Sequence, residues 1–105
     1  MDSDRLKQLQ EFYEEDPRDP FNLYALALEY LKYDQEKSKT YFESLLHEHP
    51  DYLPTYYHAG KLFMDLGEKE KAITVFLNGI SLGKKLNDKK TLRELQSAYD
   101  EMIFD

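Results

Sequence analysis

Apolar side chains recur along this chain at helical intervals, and the interruptions fall at a few punctuating residues. Pro17 and Pro20, then Pro50 and Pro54, form two clusters. A helix interior tolerates neither the missing N–H nor the ring clash, so each cluster marks a boundary. Gly67 in Asp65-Leu66-Gly67-Glu68 reads as a turn, and Gly83 near Asn87-Asp88 marks another break. The stretch Tyr33-Asp34-Gln35 is the weakest break, suggested by Asp34 alone. Six helices follow. The first spans Ser3 to Glu15, with Ser3 as N-cap and Leu6, Leu9, Phe12 and Tyr13 on one face. The others span Pro20 to Lys32, Gln35 to Glu48, Pro54 to Leu66, Lys69 to Lys85 and Lys89 to Ile103. Phe42, Leu45 and Leu46 point inward from the third; Leu92, Leu95, Tyr99, Met102 and Ile103 are the apolar positions of the last. No strand-like alternation occurs.

The helices repeat. Pro17 and Pro50 lie 33 residues apart, each after a polar stretch. Counted from Pro20, the second helix places Leu23, Leu26, Ala27 and Tyr30 at positions 4, 7, 8 and 11. Tyr56, Ala59, Gly60 and Phe63 take the same positions in the fourth helix, and Ala72, Phe76 and Gly79 follow at 20, 24 and 27. With one residue fewer in its turn, the earlier unit puts Ser38, Phe42 and Leu45 at the later sites, and Pro50 closes it. This order of large, small and aromatic residues resembles the tetratricopeptide repeat (TPR) family. The resemblance covers two full repeats, residues 20–52 and 53–86. An N-terminal half repeat (1–17) and a C-terminal capping helix (87–105) flank them. It implies a single all-α domain over 1–105, a right-handed α-solenoid of helix-turn-helix repeats. Small residues (Ala27, Gly60, Ala72, Gly79) would let the helices of one hairpin approach, and large ones (Tyr30, Phe42, Phe63, Phe76) would fill the holes between hairpins.

The resemblance also implies a concave surface, lined by the first helix of each repeat, that binds a protein segment. Its positions are Phe21, Tyr24, Leu28, Leu31 and Lys32 in the first repeat, and Pro54, Tyr57, Lys61, Met64 and Asp65 in the second. Arg93, Ser97 and Asp100 extend it on the last helix. Polar residues would suffice on a solvated face, yet Phe21, Tyr24, Leu28, Leu31, Tyr57 and Met64 form an apolar stripe. Lys61 and Arg93 add polar guides. Some TPR domains hold acidic chaperone tails through a carboxylate clamp; of the residues at those places (Tyr24, Leu28, Lys61, Arg93, Ser97) only Arg93 fits. The expected ligand is therefore an apolar or amphipathic segment of another protein. The alternative is a structural unit that seals a homodimer, or a weaker homo-oligomer, through the same stripe.

Composition narrows the chemistry. The 105 residues carry 14 basic and 21 acidic side chains, a formal charge of −7, which disfavours nucleic acid and anionic lipid as partners. Sixteen Leu against eight Val, Ile and Thr together favour helix. No apolar run spans a bilayer and the acidic opening is no secretory signal, so no membrane partner and a cytoplasmic location are expected. With no Cys, thiolate metal sites and cysteine nucleophiles are excluded. His47 and His49 are spaced to point apart, whereas helical zinc pairs are four residues apart. Lys84, Lys85, Lys89, Lys90 and Arg93 read as a solvated turn complementing a helix C-terminus. Pairs such as Glu14-Glu15 have no partner base or nucleophile beside them. The expectation is a non-catalytic binding module with no metal and no cofactor.

Overall fold

The computed structural model describes residues 2–104, with the side chains of residues 4–104. It contains six α-helices and, among the described residues, no strand: α1 (Asp2–Glu15), α2 (Pro20–Tyr30), α3 (Gln35–Glu48), α4 (Pro54–Asp65), α5 (Lys69–Leu86) and α6 (Lys89–Phe104). No helix among them is long and apolar enough to cross a membrane. The chain divides into two compact units, Met1–Tyr52 and Leu53–Asp105, each with three helices.

Local chemistry places the helix ends. Asp19 accepts the Phe21 N–H at 2.9 Å, and Pro20 occupies the first turn of α2, where no N–H is needed. Asp34, the faintest signal in the sequence, caps α3 by accepting the Lys37 N–H at 3.1 Å. Asp88 does the same for α6, accepting the Thr91 N–H at 3.1 Å and the Thr91 hydroxyl at 3.0 Å. The hairpin turn after α4 needs a left-handed residue, and Gly67 provides it at φ 81°. There the Glu68 N–H reaches the Phe63 carbonyl at 2.8 Å. Asn87 plays the same part after α5 at φ 57°.

Helices α4, α5 and α6 end one residue from expectation, at Asp65, Leu86 and Phe104, and two other boundaries differ for a local reason. Helix α2 stops at Tyr30 rather than Lys32, because the N–H groups of Leu31, Lys32 and Tyr33 turn to carbonyls three residues back and tighten the chain. Helix α1 already includes Ser3, so that residue is not its N-cap; the cap at that end lies outside the described residues.

In the first unit α2 packs against both α1 and α3. Leu23, Leu26, Ala27, Tyr30, Phe42 and Leu45 are buried there. The Ser38 hydroxyl donates to the Ala27 carbonyl at 2.6 Å, joining α3 to α2 at a fully buried point. Tyr30 stacks on Tyr41 of α3, centroids 5.5 Å apart, and its hydroxyl accepts from Gln10 of α1 at 2.9 Å. Glu29, buried on α2, faces Arg5 of α1 at 3.2 Å and Lys32 at 3.5 Å. Phe12 was expected inward with Leu6, Leu9 and Tyr13, yet it is 53% exposed. At about 100° per residue those three share one narrow stripe, and Phe12 lies about 90° from its centre.

In the second unit α4, α5 and α6 pack against one another. Leu62, Phe63, Ala72, Phe76 and Leu95 are buried essentially completely. The approach of α4 to α5 depends on two glycines. A Cβ at Gly60 would meet the Phe76 ring at 2.5 Å, and one at Gly79 would meet the Tyr56 Cβ at 2.6 Å. Phe76 thus fills space inside its own hairpin, where the sequence pattern suggested a hole between hairpins, whereas Tyr30 stacks within its hairpin and also reaches α1. Each ring needs a flat seat, which Gly60 and the Tyr41 ring supply within the same pair of helices.

Candidate functional site

Helix α2 is apolar on two sides. One buries Leu23, Leu26 and Ala27; the other carries Phe21, Tyr24 and Leu28 at helical spacing, with Leu31 just past its end. On this second side Phe21 is 57% exposed, and Tyr24, Leu28 and Leu31 are half-buried. Tyr24 meets the Tyr52 ring edge-on at 5.7 Å. Burial, and secondarily the charge of its tyrosine neighbour, raises the Tyr24 pKa, so the phenol stays neutral. Burial raises that of Tyr52 too, with Asp19 adding to it.

The second unit has a different character. Tyr57, Lys61 and Met64 project from one face of α4 at intervals of four and three residues. Beside this face α6 closes a cleft of about 420 Å³, to which Tyr57, Lys61 and Arg93 contribute. The Lys61 ammonium lies 5.2 Å from the Tyr57 ring centroid and 3.4 Å from its hydroxyl. Lys90 and Ser97 share the α6 wall with Arg93, while Glu94, Ala98 and Glu101 form its other line. Met64 lines an adjoining recess of about 210 Å³ with Lys61, Asp65 and Met102. Among the described residues neither Lys90 nor Arg93 has a hydrogen-bond or ion-pair partner.

Sequence reasoning missed Lys90, Glu94, Ala98 and Glu101 as cleft residues. It read the five cations near Asn87 as one solvated turn, with Arg93 alone also placed on the binding surface, but the turn divides them: Lys84 and Lys85 end α5, and Lys90 joins Arg93 at the cleft. Helical spacing held the signal, since Lys90, Arg93 and Ser97 are three and four residues apart.

His58 adjoins the cleft, its ring 5.3 Å from Tyr57 and nearly perpendicular to it. Burial lowers its pKa below the ordinary 6.5, the Lys61 charge lowers it further, and Glu94 opposes both. The folded chain therefore resists a proton that the unfolded chain accepts. Stability is full above the unfolded value and falls as pH drops below about 6.5 toward the lower folded pKa. Thermal melts at pH 7.5 and pH 5 should show a smaller drop for His58→Gln than for the parent chain. An equal drop would remove His58 as the cause.

Among the described residues no group of three or more His, Asp or Glu could hold a metal ion. The arrangement offers contact surfaces, partly apolar and partly cationic.

No family profile matches the chain, and no curated protein matches it. Solved structures do. The crystal structure of a tetratricopeptide repeat domain protein from Salinibacter ruber is 40% identical, with a TM-score of 0.77 over 80% of this chain and 96% of that one. A solution structure of a tetratricopeptide repeat domain protein from the same organism is 42% identical, with a TM-score of 0.78 over 83% of this chain and 89% of that one. MamA, at 18% identity and a TM-score of 0.69 over 97% of this chain and 67% of its own, shares the fold. The small residues that carried the repeat pattern are the buried ones across which the helices of each hairpin meet, and the likeness to the Salinibacter domains spans nearly their whole length; the chain belongs to the tetratricopeptide repeat family.

Proposed function

We propose that this chain is a non-catalytic module that binds a segment of a partner protein on the first-helix faces of its repeats. The α2 face carries Phe21, Tyr24, Leu28 and Leu31; the α4 face carries Tyr57, Lys61 and Met64, with Arg93 from α6. One observation carries the reading. Helix α2 is apolar on both sides, but only one side is buried, and a helix apolar all round is ordinarily enclosed. An exposed phenylalanine beside half-buried Leu and Tyr marks a contact surface. Aromatic anchors of this kind dominate binding energies. The partner segment is apolar or amphipathic: the α2 face of the first unit offers it apolar contacts, and Lys61 and Arg93 of the second offer polar ones.

The test is affinity capture from the native source with the parent chain and with a Leu28→Ala, Tyr57→Ala variant. Each truncation should cost about 1–2 kcal/mol of binding, together about thirtyfold to a thousandfold in affinity. The variant should lose the captured partner while keeping its helical circular dichroism. Undiminished capture would show that these faces do not bind it.

A further inference from the structure

Charge is distributed unevenly between the two halves of the sequence. Residues 1–52 hold six basic and 13 acidic side chains, a net of −7, and residues 53–105 hold eight of each, a net of zero. The excess is concentrated at the end of α1, in Glu11, Glu14, Glu15 and Asp16, and the last turn of that helix has no basic residue. Carboxylates are disfavoured at a helix C-terminus, where the backbone dipole is negative. Glu11 and Glu15 are also one turn apart, a like-charge pair that repels. The exposed Phe12 lies to one side of this pair, about 60° round the helix from Glu15. None of these four carboxylates has an ion-pair partner among the described residues.

The α4–α6 cleft has the complementary chemistry. Lys61, Lys90 and Arg93 face it, the last two without partners, and the Tyr57 ring and Ala98 give it apolar wall. Glu94 and Glu101 also line it and Asp88 caps α6 nearby, so three cations there stand against two carboxylates. A helix face with two acids beside a phenyl group is complementary to a cleft whose three cations outnumber its two carboxylates and whose wall includes a phenol ring.

We propose that the α4–α6 cleft of one copy of this chain receives the Glu11–Phe12–Glu15 face of α1 from a second copy. The carboxylates meet Lys61, Lys90 and Arg93, and Phe12 lies against Tyr57. The contact is heterologous, so it leaves one acidic face and one cleft open and extends head to tail unless a ring closes. The inference rests on the reading of the α4 face as a surface for protein segments, and it names the occupant of that face's charged part. It differs from a symmetric dimer sealed through the apolar stripe, which salt would strengthen.

Sedimentation velocity on the full chain tests it, from low micromolar to several hundred micromolar, in low and in high NaCl. Association should rise with concentration and weaken in high salt, because screening shortens the reach of exposed charges. Glu11→Lys with Glu15→Lys, and separately Lys90→Glu with Arg93→Glu, should each weaken association by about tenfold or more. An equimolar mixture of the two variants restores the opposite charges at both contacts and should associate again. Three results would overturn the inference: a chain that is monomeric throughout, an association that strengthens with salt, or variants that stay apart when mixed. None of them touches the segment-binding reading, which depends on capture by Leu28 and Tyr57. Circular dichroism of both variants keeps loss of fold separate from loss of contact.

Discussion

Phe76→Ala should cost about 3–5 kcal/mol of stability, the range for deleting a fully buried aromatic side chain. Phe76 is 1% exposed, and its ring covers Gly60 across the α4–α5 hairpin. The cavity left behind has no side chain at position 60 to collapse into it. The urea midpoint should fall accordingly, with the slope little changed. A sharper result concerns the pair. In the parent chain Gly60→Ala should be destabilising, because the new methyl would meet ring carbons at 2.5 and 2.6 Å. With Phe76 already truncated, the same change should become stabilising by about 1 kcal/mol, since alanine is the better helix former and nothing opposes it. A double-mutant cycle reads this coupling directly. Additive effects would mean that the ring does not rest on the glycine.

Gly79→Ala should be destabilising by about 1–3 kcal/mol, although helix propensity alone favours alanine by about 1 kcal/mol. The obstacle here is more rigid than a ring edge. The added Cβ would be 2.6 Å from the Tyr56 Cβ, 3.0 Å from its Cγ and 3.2 Å from a Leu95 methyl. A Cβ moves only with its backbone, so α4 and α5 must separate, and Leu95 of α6 limits movement on the other side. Gly83→Ala is the control: its Cβ would stand 3.7 Å from Leu92, an ordinary contact, and the change should be neutral or mildly stabilising. Thermal melts of the two alanine variants, compared side by side, decide the matter. Equal melting temperatures would refute the close approach at Gly79.

Both candidate faces came from the sequence through the repeat, which placed Phe21, Tyr24 and Leu28, and likewise Tyr57, Lys61 and Arg93, at the positions of a binding surface. The first three drew notice there because polar residues would suffice on a solvated face. Lys90 was misread for a physical reason. A run of cations at a turn looks alike in sequence whether its members face solvent or a cleft, and helical phase separates them only once both helix boundaries are known. Phe12 failed similarly. It belonged to an apolar list, but a side chain about 90° from the centre of the stripe does not share its burial.

By itself the sequence determined the number and order of the helices, the turns between them and the family. Each rests on short-range chemistry: prolines that cannot continue a helix, Asp19 and Asp34 as caps, Gly67 where φ must be positive, and small residues at a fixed interval. Tertiary structure alone decided which large rings fill a hairpin from within, which cations line the α4–α6 cleft, and which aromatic residue remains exposed on α1. Those outcomes depend on the rotation of each helix about its axis against its neighbour. That angle is set by how rings and small residues interlock across the contact, and residues distant in the chain settle it together.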